Sequence, residues 1–347
     1  MADPKPTIAD VARRANVSKG AVSFALNGRP GVSPQTRERI LEAAASMGWT
    51  PSSTARALST SRASAVGLVM ARSPELLGAD PFFAPFIAGV ESVLAEHGHA
   101  LMLHVVHEGD AELLSYRRLA ASARVDGVFL IDLRVEDPRP ALVRELGLPA
   151  VMVGRCREPG AAPVVTLDDR AGITAAVEHL VSLGHRRIAH VAGPAQFVHG
   201  VDRRQAWEDA IDAANLHPGP CVVTDFSAAG GAAATAKLTA LAEPPTAIVY
   251  ANDLMATAGL TVLAQHGLAV PHDISITGFD DTELVSYLAP PLTSIRTDVL
   301  EWGRQSARTL LTLTAGETAP NVDLPPARLI VRQSTGPAPT TAPTTST

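Results

Sequence analysis

Short apolar runs alternate with helical stretches from Ala65 to about residue 335, and this alternation leaves few folds open to the chain. The apolar runs read AVGLVM, ALMLHVV, VDGVFLI, PAVMVG, RIAHVAG, TAIVYA and ISITGF. The helical stretches between them include FAPFIAGVESVLAEHG, AGITAAVEHLVSLGH and DLMATAGLTVLAQHG. Strands that alternate with helices form parallel sheets covered by helices. About 270 residues of this pattern are too many for one small sheet, so we expect an α/β body of two parallel-sheet lobes with a cleft.

The first helix of the chain is predicted in TIADVARRANV. Thr7 can cap it, and Asp10 follows at the spacing of a capping box. Apolar residues recur at helical spacing and form one stripe: Ile8, Val11, Ala12 and Ala15.

Two further helices are predicted before residue 50. Ser18 can cap a helix that runs to about Leu26, and Ser33-Pro34 starts a third helix that ends at Gly48. We expect the apolar side of the third helix to consist of Ile40, Leu41, Ala44 and Met47.

The charge of the chain is unevenly distributed. Residues 1–60 contain eight basic and four acidic residues, a balance of +4, whereas the whole chain carries −6. Three short helices in a basic segment of this size predict an all-α helix-turn-helix head that binds DNA. The second helix would enter the major groove with Lys19, Gly20, Ser23 and Phe24 outward. A three-helix bundle that only contacts another protein is the alternative.

The composition excludes several classes of protein. No apolar run is long enough to cross a bilayer, and the sequence MADPKPTIAD has no apolar segment of a signal peptide. Two cysteines, Cys156 and Cys221, are too few for a disulfide framework or a zinc site. These features predict a cytoplasmic protein.

Motifs of enzymes and cofactor sites are missing from the sequence. No apolar run is followed by G-x-G-x-x-G, and neither G-x-x-x-x-G-K-[ST] nor G-x-S-x-G occurs. Histidines cluster at positions 97, 99, 104 and 107, but they straddle a turn and a strand and therefore do not predict a metal site. We predict no catalytic residues, no cofactor and no metal.

The segment TIADVARRANVSKGAVSFALNGRPGVSPQTRERILEAAASMGWTPSSTARALST resembles the DNA-binding head and hinge of the lac repressor family, without a gap from Thr7 to Leu58. The resemblance implies that the following residues contact DNA: Thr7, Ser18, Lys19, Gly20, Ser23, Phe24, Asn27, Arg29, Ala55 and Leu58. In that family the hinge folds into a short helix on the operator and a leucine enters the minor groove, a role that falls to Leu58 here. A plain linker is the alternative.

Phe24 departs from the family, whose members often carry arginine at this position. A phenylalanine cannot donate a hydrogen bond to guanine, but it can lie against a thymine methyl group. The alternative is that Phe24 turns inward and packs under the head.

The body resembles the periplasmic-binding-protein-like effector domain of the same family. The segments VEHLVSLGHRRIAHVAGP, ANDLMATAGL and ITGFDDTELVSYLAPPLTSIRTD carry this resemblance. It implies an effector site with ten candidate residues: Phe82, Phe83, Asp132, Arg155, Arg203, Trp207, Phe226, Asn252, Asp253 and Asp280.

The chemistry of these residue types suits a sugar. Carboxylates and amides hydrogen-bond to hydroxyl groups, arginine supplies a planar fork, and an aromatic face covers C–H groups. Each residue also has a simpler explanation. Asn252 and Asp253 can cap a helix, Asp280 can belong to a turn, and Phe226 can be a core residue.

The sequence thus predicts four segments: the head at 1–50, a hinge at 51–62, a two-lobed effector-binding and dimerisation domain at 63–335, and a disordered Pro/Thr-rich tail at 336–347. The tail lacks leucine heptads, so we expect a homodimer rather than a tetramer. The predicted function is a repressor whose affinity for a near-palindromic operator changes when a small effector, a sugar, binds. The alternative is a carbohydrate-binding or carbohydrate-processing protein without a DNA role.

Overall fold

The computed structural model describes residues 6–26, 30–49, 62–107, 109–156, 160 and 162–340. The chain divides into two compact units. One unit holds the described residues up to Ala65 together with Ala123–Asp126, and the other holds the remainder. None of the described helices combines the length and apolar composition that a membrane crossing requires.

The head consists of three helices: α1 (Ile8–Ala15), α2 (Lys19–Leu26) and α3 (Pro34–Ser46). Their starts are determined locally. Asp10 accepts hydrogen bonds from the backbone N–H and the hydroxyl of Thr7, at 2.9 and 2.6 Å. Ser18 accepts the N–H of Ala21 at 3.1 Å. These caps satisfy N–H groups that have no partner within the helix.

The core of the head is formed by one apolar face of each helix, with Val11, Val22 and Ile40 fully buried. Leu41 was expected on this apolar side, but it is exposed. The buried face of α3 is formed by Ile40, Ala43 and Ala44, and Leu41 lies about 100° around the helix from the centre of that face.

The second unit contains two lobes, and the chain first builds most of the N-lobe. Its elements are β1 (Ala65–Met70), α4 (Pro74–Ala79), α5 (Phe83–Glu96), β2 (Ala100–Val105), α6 (Asp110–Ala121), β3 (Gly127–Leu130), α7 (Arg139–Glu145), β4 (Ala150–Val153) and β5 (Val164–Thr166).

The C-lobe follows with α8 (Asp169–Ser182), β6 (Ile188–Ala192), α9 (Val198–Ala213), β7 (Cys221–Val223), α10 (Ala228–Thr239), β8 (Ala247–Tyr250), α11 (Asp253–Gln265), β9 (Ser275–Asp280), a 3₁₀ turn (Glu283–Tyr287) and β10 (Thr293–Arg296). The chain then returns to the N-lobe with α12 (Val299–Thr314) and β11 (Val322–Asp323), and it ends in the C-lobe with β12 (Arg328–Ile330).

Each lobe is a six-stranded sheet covered by helices. The strand orders are β11-β5-β4-β3-β1-β2 and β12-β10-β9-β8-β6-β7. The registered pairs are parallel except for β10 with the edge strand β12. Parallel strands aligned in this way bring their carboxyl ends to one edge of each sheet, where ligands bind in such folds.

Three crossings join the lobes, between β5 and α8, β10 and α12, and β11 and β12. Two of them are hydrogen-bonded to each other. The N–H of Leu324 donates to the carbonyl of Thr166 at 2.9 Å, and the N–H of Ala327 donates to that of Asp168 at 3.1 Å. These two crossings are therefore tied to each other between the lobes.

The first residues of the predicted tail are bound to the C-lobe. The N–H of Gly336 donates to the Ser275 hydroxyl at 3.1 Å, and that of Ala338 donates to the carbonyl of Leu183 at 2.9 Å. The buried ring of His185 also contacts the carbonyl of Gly336 at 3.0 Å. The ordered structure thus extends beyond the boundary predicted at residue 336, because these backbone groups find partners in the C-lobe.

Candidate functional site

The outward face of α2 presents the residue types predicted to meet DNA. Lys19, Gly20 and Phe24 are exposed, and Ser23 is half-buried beside them. Thr7 and Ser18 are exposed at the starts of α1 and α2. Four other predicted residues, Asn27, Arg29, Ala55 and Leu58, lie outside the described residues.

Phe24 is 40% exposed and does not belong to the buried core of the head. Its ring lies beside Gly31, and a Cβ atom at that glycine would be 3.5 Å from the ring carbon Cδ2. Val22 and Ala25, on the opposite side of α2, occupy the core instead. The inward packing of Phe24 that we considered as an alternative is therefore not observed.

A cavity that is open to solvent lies between the two lobes, at the carboxyl ends of their strands. Its polar lining consists of Arg72, Asp80, Asp132, Asp169, His199, Arg203, Asn252 and Asp280. Its apolar lining consists of Phe82, Ile131, Val153, Gly154, Phe226 and Trp302.

Six of the ten predicted effector residues line this cavity: Phe82, Asp132, Arg203, Phe226, Asn252 and Asp280. Phe83 and Trp207 do not, because their side chains fill the core. Trp207 stacks on the buried ring of His190 with 5.5 Å between centroids. Arg155 also does not line the cavity; its side chain is half-exposed and 3.5 Å from Asp202.

Asp253 is buried behind the cavity wall rather than in it. Its carboxylate accepts hydrogen bonds from the N–H of Thr282 at 2.8 Å and from the hydroxyl of Ser294 at 2.5 Å. These contacts hold the turn that follows β9, so Asp253 supports the position of its neighbour Asp280.

The sequence did not single out five polar or aromatic lining residues: Arg72, Asp80, Asp169, His199 and Trp302. Arg72 follows β1 and Asp169 follows β5, so both stand just beyond strands, as Asp132 does. The same strand-end rule would have found these two. No comparable local signal marks His199 or Trp302.

On the N-lobe side, Arg72 and Asp132 form a bidentate ion pair. Nε and Nη2 of Arg72 reach the two oxygens of Asp132 at 2.8 and 2.9 Å. Arg139, which is buried with Glu112 and Asp137, donates to the carbonyl of Asp132 at 2.9 Å. Burial alone would raise the pKa of Asp132, but the guanidinium of Arg72 outweighs it and holds that pKa below its usual range.

On the C-lobe side, Arg203 links three elements. Its Nε donates to the carboxylate of Asp169 at 2.8 Å, and its Nη2 lies 2.8 Å from that carboxylate. Its Nη1 donates to the carbonyl of Ala251 at 2.7 Å. The guanidinium carbon lies 3.5 Å from the centroid of the Phe279 ring. A guanidinium has five N–H groups, so two remain for a ligand.

Asp280 lies at the end of β9 with φ of +110°, a conformation that side-chain-bearing residues rarely adopt. Its carboxyl group makes no hydrogen bond to any described side chain or backbone group. Burial, together with the nearby carboxylates of Asp253, Asp80 and Asp169, raises the pKa of Asp280 well above its usual value. Asp132 and Phe226, at +50° and +69°, are two further lining residues with positive φ.

Aromatic rings cover two sides of the cavity. Phe82 meets the ring of Trp302 edge-on with 5.8 Å between centroids, and the indole N–H of Trp302 donates to the carbonyl of Val165 at 2.8 Å. Across the cavity, Phe226 lies against the backbone of Gly193, where a Cβ atom would be only 2.0 Å from the ring.

Asn252 combines the capping role with a place in the cavity wall. Its Oδ1 accepts the N–H of Met255 at 2.8 Å and so caps α11, and its Nδ2 donates to the carbonyl of Phe226 at 2.9 Å. The second amide hydrogen has no protein partner among the described residues and can reach a ligand. The cavity therefore offers hydroxyl-binding groups around an aromatic frame, and its described lining contains no paired nucleophile and base.

Comparisons with known proteins agree with this architecture. The model of bacterial regulatory proteins of the lacI family matches residues 7–52, and the model of the periplasmic binding protein-like domain matches residues 177–335. The HTH-type transcriptional regulator CelR of Thermobifida fusca is 36% identical over 341 residues, which cover 95% of this chain and 98% of CelR.

Two solved structures extend the comparison to the whole fold. The CelR–cellobiose complex has 34% sequence identity and a TM-score of 0.72, and the match covers 95% of this chain and 99% of that one. The lac repressor dimer bound to operator and an anti-inducer has 29% identity and a TM-score of 0.82, over 96% and 100% of the chains. This chain therefore belongs to the lacI family of bacterial regulatory proteins, and it is a DNA-binding transcriptional regulator rather than an enzyme.

Proposed function

We propose that the effector of this regulator is an uncharged carbohydrate that binds in the interlobe cavity and changes the affinity of the protein for its operator. The observation that carries the proposal is the combination of carboxyl groups and aromatic faces around one cavity. Carboxylates accept hydrogen bonds from hydroxyl groups, and aromatic faces cover the C–H surface of a sugar ring. The cellobiose bound by the similar regulator CelR supports a sugar effector.

The charges of the lining argue against a phosphorylated effector. Four aspartates face two arginines, and both guanidinium groups are already paired with carboxylates of the site, Arg72 with Asp132 and Arg203 with Asp169. Asp80 and Asp280 have no cationic partner in the described ion pairs. An anionic ligand would therefore lie beside two carboxyl groups whose ionisation it opposes, in a partly desolvated cavity where water screens charges poorly.

We propose the following mechanism for regulation. The protein acts as a homodimer on a near-palindromic operator, because two symmetric heads match two half-sites. The effector contacts residues of both lobes and favours one angle between them, and the hinge segment passes this change to the heads. In this mechanism Leu58 enters the minor groove of the bound operator. Because operator DNA is its target, we place the regulator in the cytoplasm.

A thermal-shift screen tests the effector class. Cellobiose, maltose, glucose, glucose 6-phosphate and adenine are added to the full-length protein at equal concentrations. A ligand at about 100 times its Kd stabilises the folded state by about 2.7 kcal/mol. We expect a raised midpoint with a neutral sugar and none with glucose 6-phosphate or adenine. Stabilisation by the phosphate or the nucleobase alone would contradict the proposal. Operator-binding assays with the stabilising sugar then show whether affinity rises or falls.

A further inference from the structure

His199 occupies the middle of a three-ring stack at the edge of the cavity. Its ring lies 5.5 Å from that of Phe197 and 5.4 Å from that of Phe226, measured between centroids, with interplanar angles of 9° and 17°. Arg72 of the opposite lobe covers the Phe197 ring at 4.6 Å. The faces of the imidazole are thus occupied by phenyl rings, and only its edge is open to the cavity that it lines.

The two ring nitrogens of His199 make no hydrogen bond to any residue that the structure describes. The two fully buried histidines of the C-lobe, His185 and His190, each have at least one protein partner. Both nitrogens of His185 have partners, namely Thr246, Ser275 and the carbonyl of Gly336. His190 uses Nδ1 to donate to the carbonyl of Val249 at 2.8 Å, whereas its Nε2 is buried without a partner among the described residues. The polar edge of His199 thus has no partner among the described residues and lines the interlobe cavity, where a ligand can supply one.

The surroundings keep this imidazole uncharged. Burial and the nearby guanidinium groups of Arg203 and Arg72 lower the pKa of His199 to about 3, although the carboxylate of Asp132 acts in the opposite direction. A neutral imidazole has one N–H donor and one acceptor nitrogen. A sugar hydroxyl can accept from the first or donate to the second.

We propose that His199 is a specificity-determining residue of the effector site, whose imidazole edge hydrogen-bonds one hydroxyl group of the bound sugar while Phe197 and Phe226 hold the ring in plane. This inference rests on the proposed carbohydrate effector. A ring that serves only for packing is the competing explanation, and phenylalanine can replace such a ring.

The test uses His199→Phe, which keeps an aromatic ring in the stack and removes both nitrogens. His199→Gln restores a neutral donor and acceptor without the ring. His217→Phe, at an exposed histidine outside the cavity, is the matched control. Calorimetric titrations with cellobiose, maltose and their monodeoxy derivatives give the dissociation constants for the wild type and each variant.

We expect His199→Phe to weaken binding of the parent sugar about five- to tenfold, the value of one neutral hydrogen bond. One monodeoxy derivative should bind the wild type as weakly as the parent sugar binds His199→Phe. The variant should bind this derivative and the parent sugar with equal affinity. His199→Gln should recover part of that discrimination at the same hydroxyl, and His217→Phe should bind like the wild type.

Three outcomes would overturn the inference. If His199→Phe binds every sugar as the wild type does, the ring only packs. If the variant loses affinity equally for the parent and all monodeoxy derivatives, the histidine does not recognise a particular hydroxyl. If the wild type binds neither sugar nor glucose, the carbohydrate proposal fails, and the role of His199 fails with it. If His199→Phe does not fold, two measurements still test the inference: sugar binding by His199→Gln, and binding of the monodeoxy derivatives by the wild type.

Discussion

Two nitrogens of Arg203, Nε and Nη2, both lie 2.8 Å from the same carboxylate oxygen of Asp169, Oδ2. Oδ1 of Asp169 is buried without a partner among the described residues. Asp169 is the first residue of α8 and Arg203 lies in α9, so the pair ties two helices of the C-lobe beside the cavity. The arginine predicted to hold the effector therefore also neutralises a buried charge of the protein.

Arg203→Ala should accordingly reduce the stability of the protein as well as its effector binding. Removing one partner of a buried ion pair leaves the other charge uncompensated, at a cost of about 3–5 kcal/mol. The free energy of unfolding in urea measures this loss. Arg170→Ala is the control, because Arg170 joins the same two helices through an exposed pair with Asp209 and should cost less than about 1 kcal/mol.

Adding Asp169→Asn to the Arg203→Ala variant should restore part of the lost stability, because the double variant buries no unpaired carboxylate. Purely additive losses would contradict the structural role assigned to the pair.

Asp280→Asn should change how stability depends on pH. The folded state holds the proton of Asp280 more tightly than the unfolded chain does, because the pKa of this carboxyl is raised. Its contribution to stability is therefore lost as the pH rises from about 4, the ordinary aspartate pKa, through the raised value. Asparagine does not titrate, so the stability of Asp280→Asn relative to the wild type should increase between pH 4.5 and pH 7.5.

Denaturant unfolding at the two pH values measures this difference, with the exposed residue Asp212 changed to asparagine as the control. A smaller dependence of stability on pH should remain in Asp280→Asn, because burial raises the pKa of Asp253 to about 6. Effector binding by Asp280→Asn should fall by about tenfold, because asparagine keeps only one of the two oxygens of the carboxyl group. An unchanged pH profile together with unchanged affinity would remove Asp280 from the site.

Gly193→Ala should disturb the effector site and leave the operator-binding head intact. The added Cβ would be 2.0 Å from the ring of Phe226, so the ring has to leave its place against the backbone. We expect weaker effector binding and unchanged operator affinity without effector. Gly78→Ala is the control, since a Cβ at that position in α4 meets no atom within 4 Å. Equal effector affinity in both variants would show that the position of Phe226 is unimportant.

Truncation should separate two parts of the C-terminal tail. Removal of residues 336–347 takes away the backbone groups of Gly336 and Ala338 that bind Ser275 and Leu183, and it leaves His185 with fewer partners. We expect a loss of about 1–3 kcal/mol in thermal or urea unfolding. Removal of residues 341–347 alone should cost far less. Sedimentation should show a dimer in both cases, and a monomer after the shorter deletion would assign assembly to the tail.

Phe24→Arg should change operator preference and leave the stability of the head nearly unchanged, because the side chain is exposed and outside the core. Selection of random DNA should show a guanine gained at one position of each half-site, where the wild type prefers thymine. A two-pronged arginine–guanine contact contributes about 1–3 kcal/mol of discrimination. Identical motifs for both proteins would show that Phe24 does not contact bases.

The helices of the head could be predicted closely from the sequence. The caps at Ser18 and Ser33 and the capping box of Thr7 and Asp10 involve residues three apart, so their contacts form wherever the segment becomes helical. The two-lobed α/β body could likewise be predicted, because each strand and each helix can be recognised from its own apolar pattern.

Only the tertiary structure decided which of the polar residues at the strand ends face the cavity. Asp253 and Asp280 had the same predicted role in the sequence. The carboxylate of Asp253 is bound by Ser294 and Thr282 behind the cavity wall, whereas Asp280, with φ of +110° at the end of β9, lines the cavity. Arg72 and Asp132 are 60 residues apart, and Arg203 and Asp169 are 34 apart. No local pattern encodes such pairs, because they exist only when separate strands and helices have packed together.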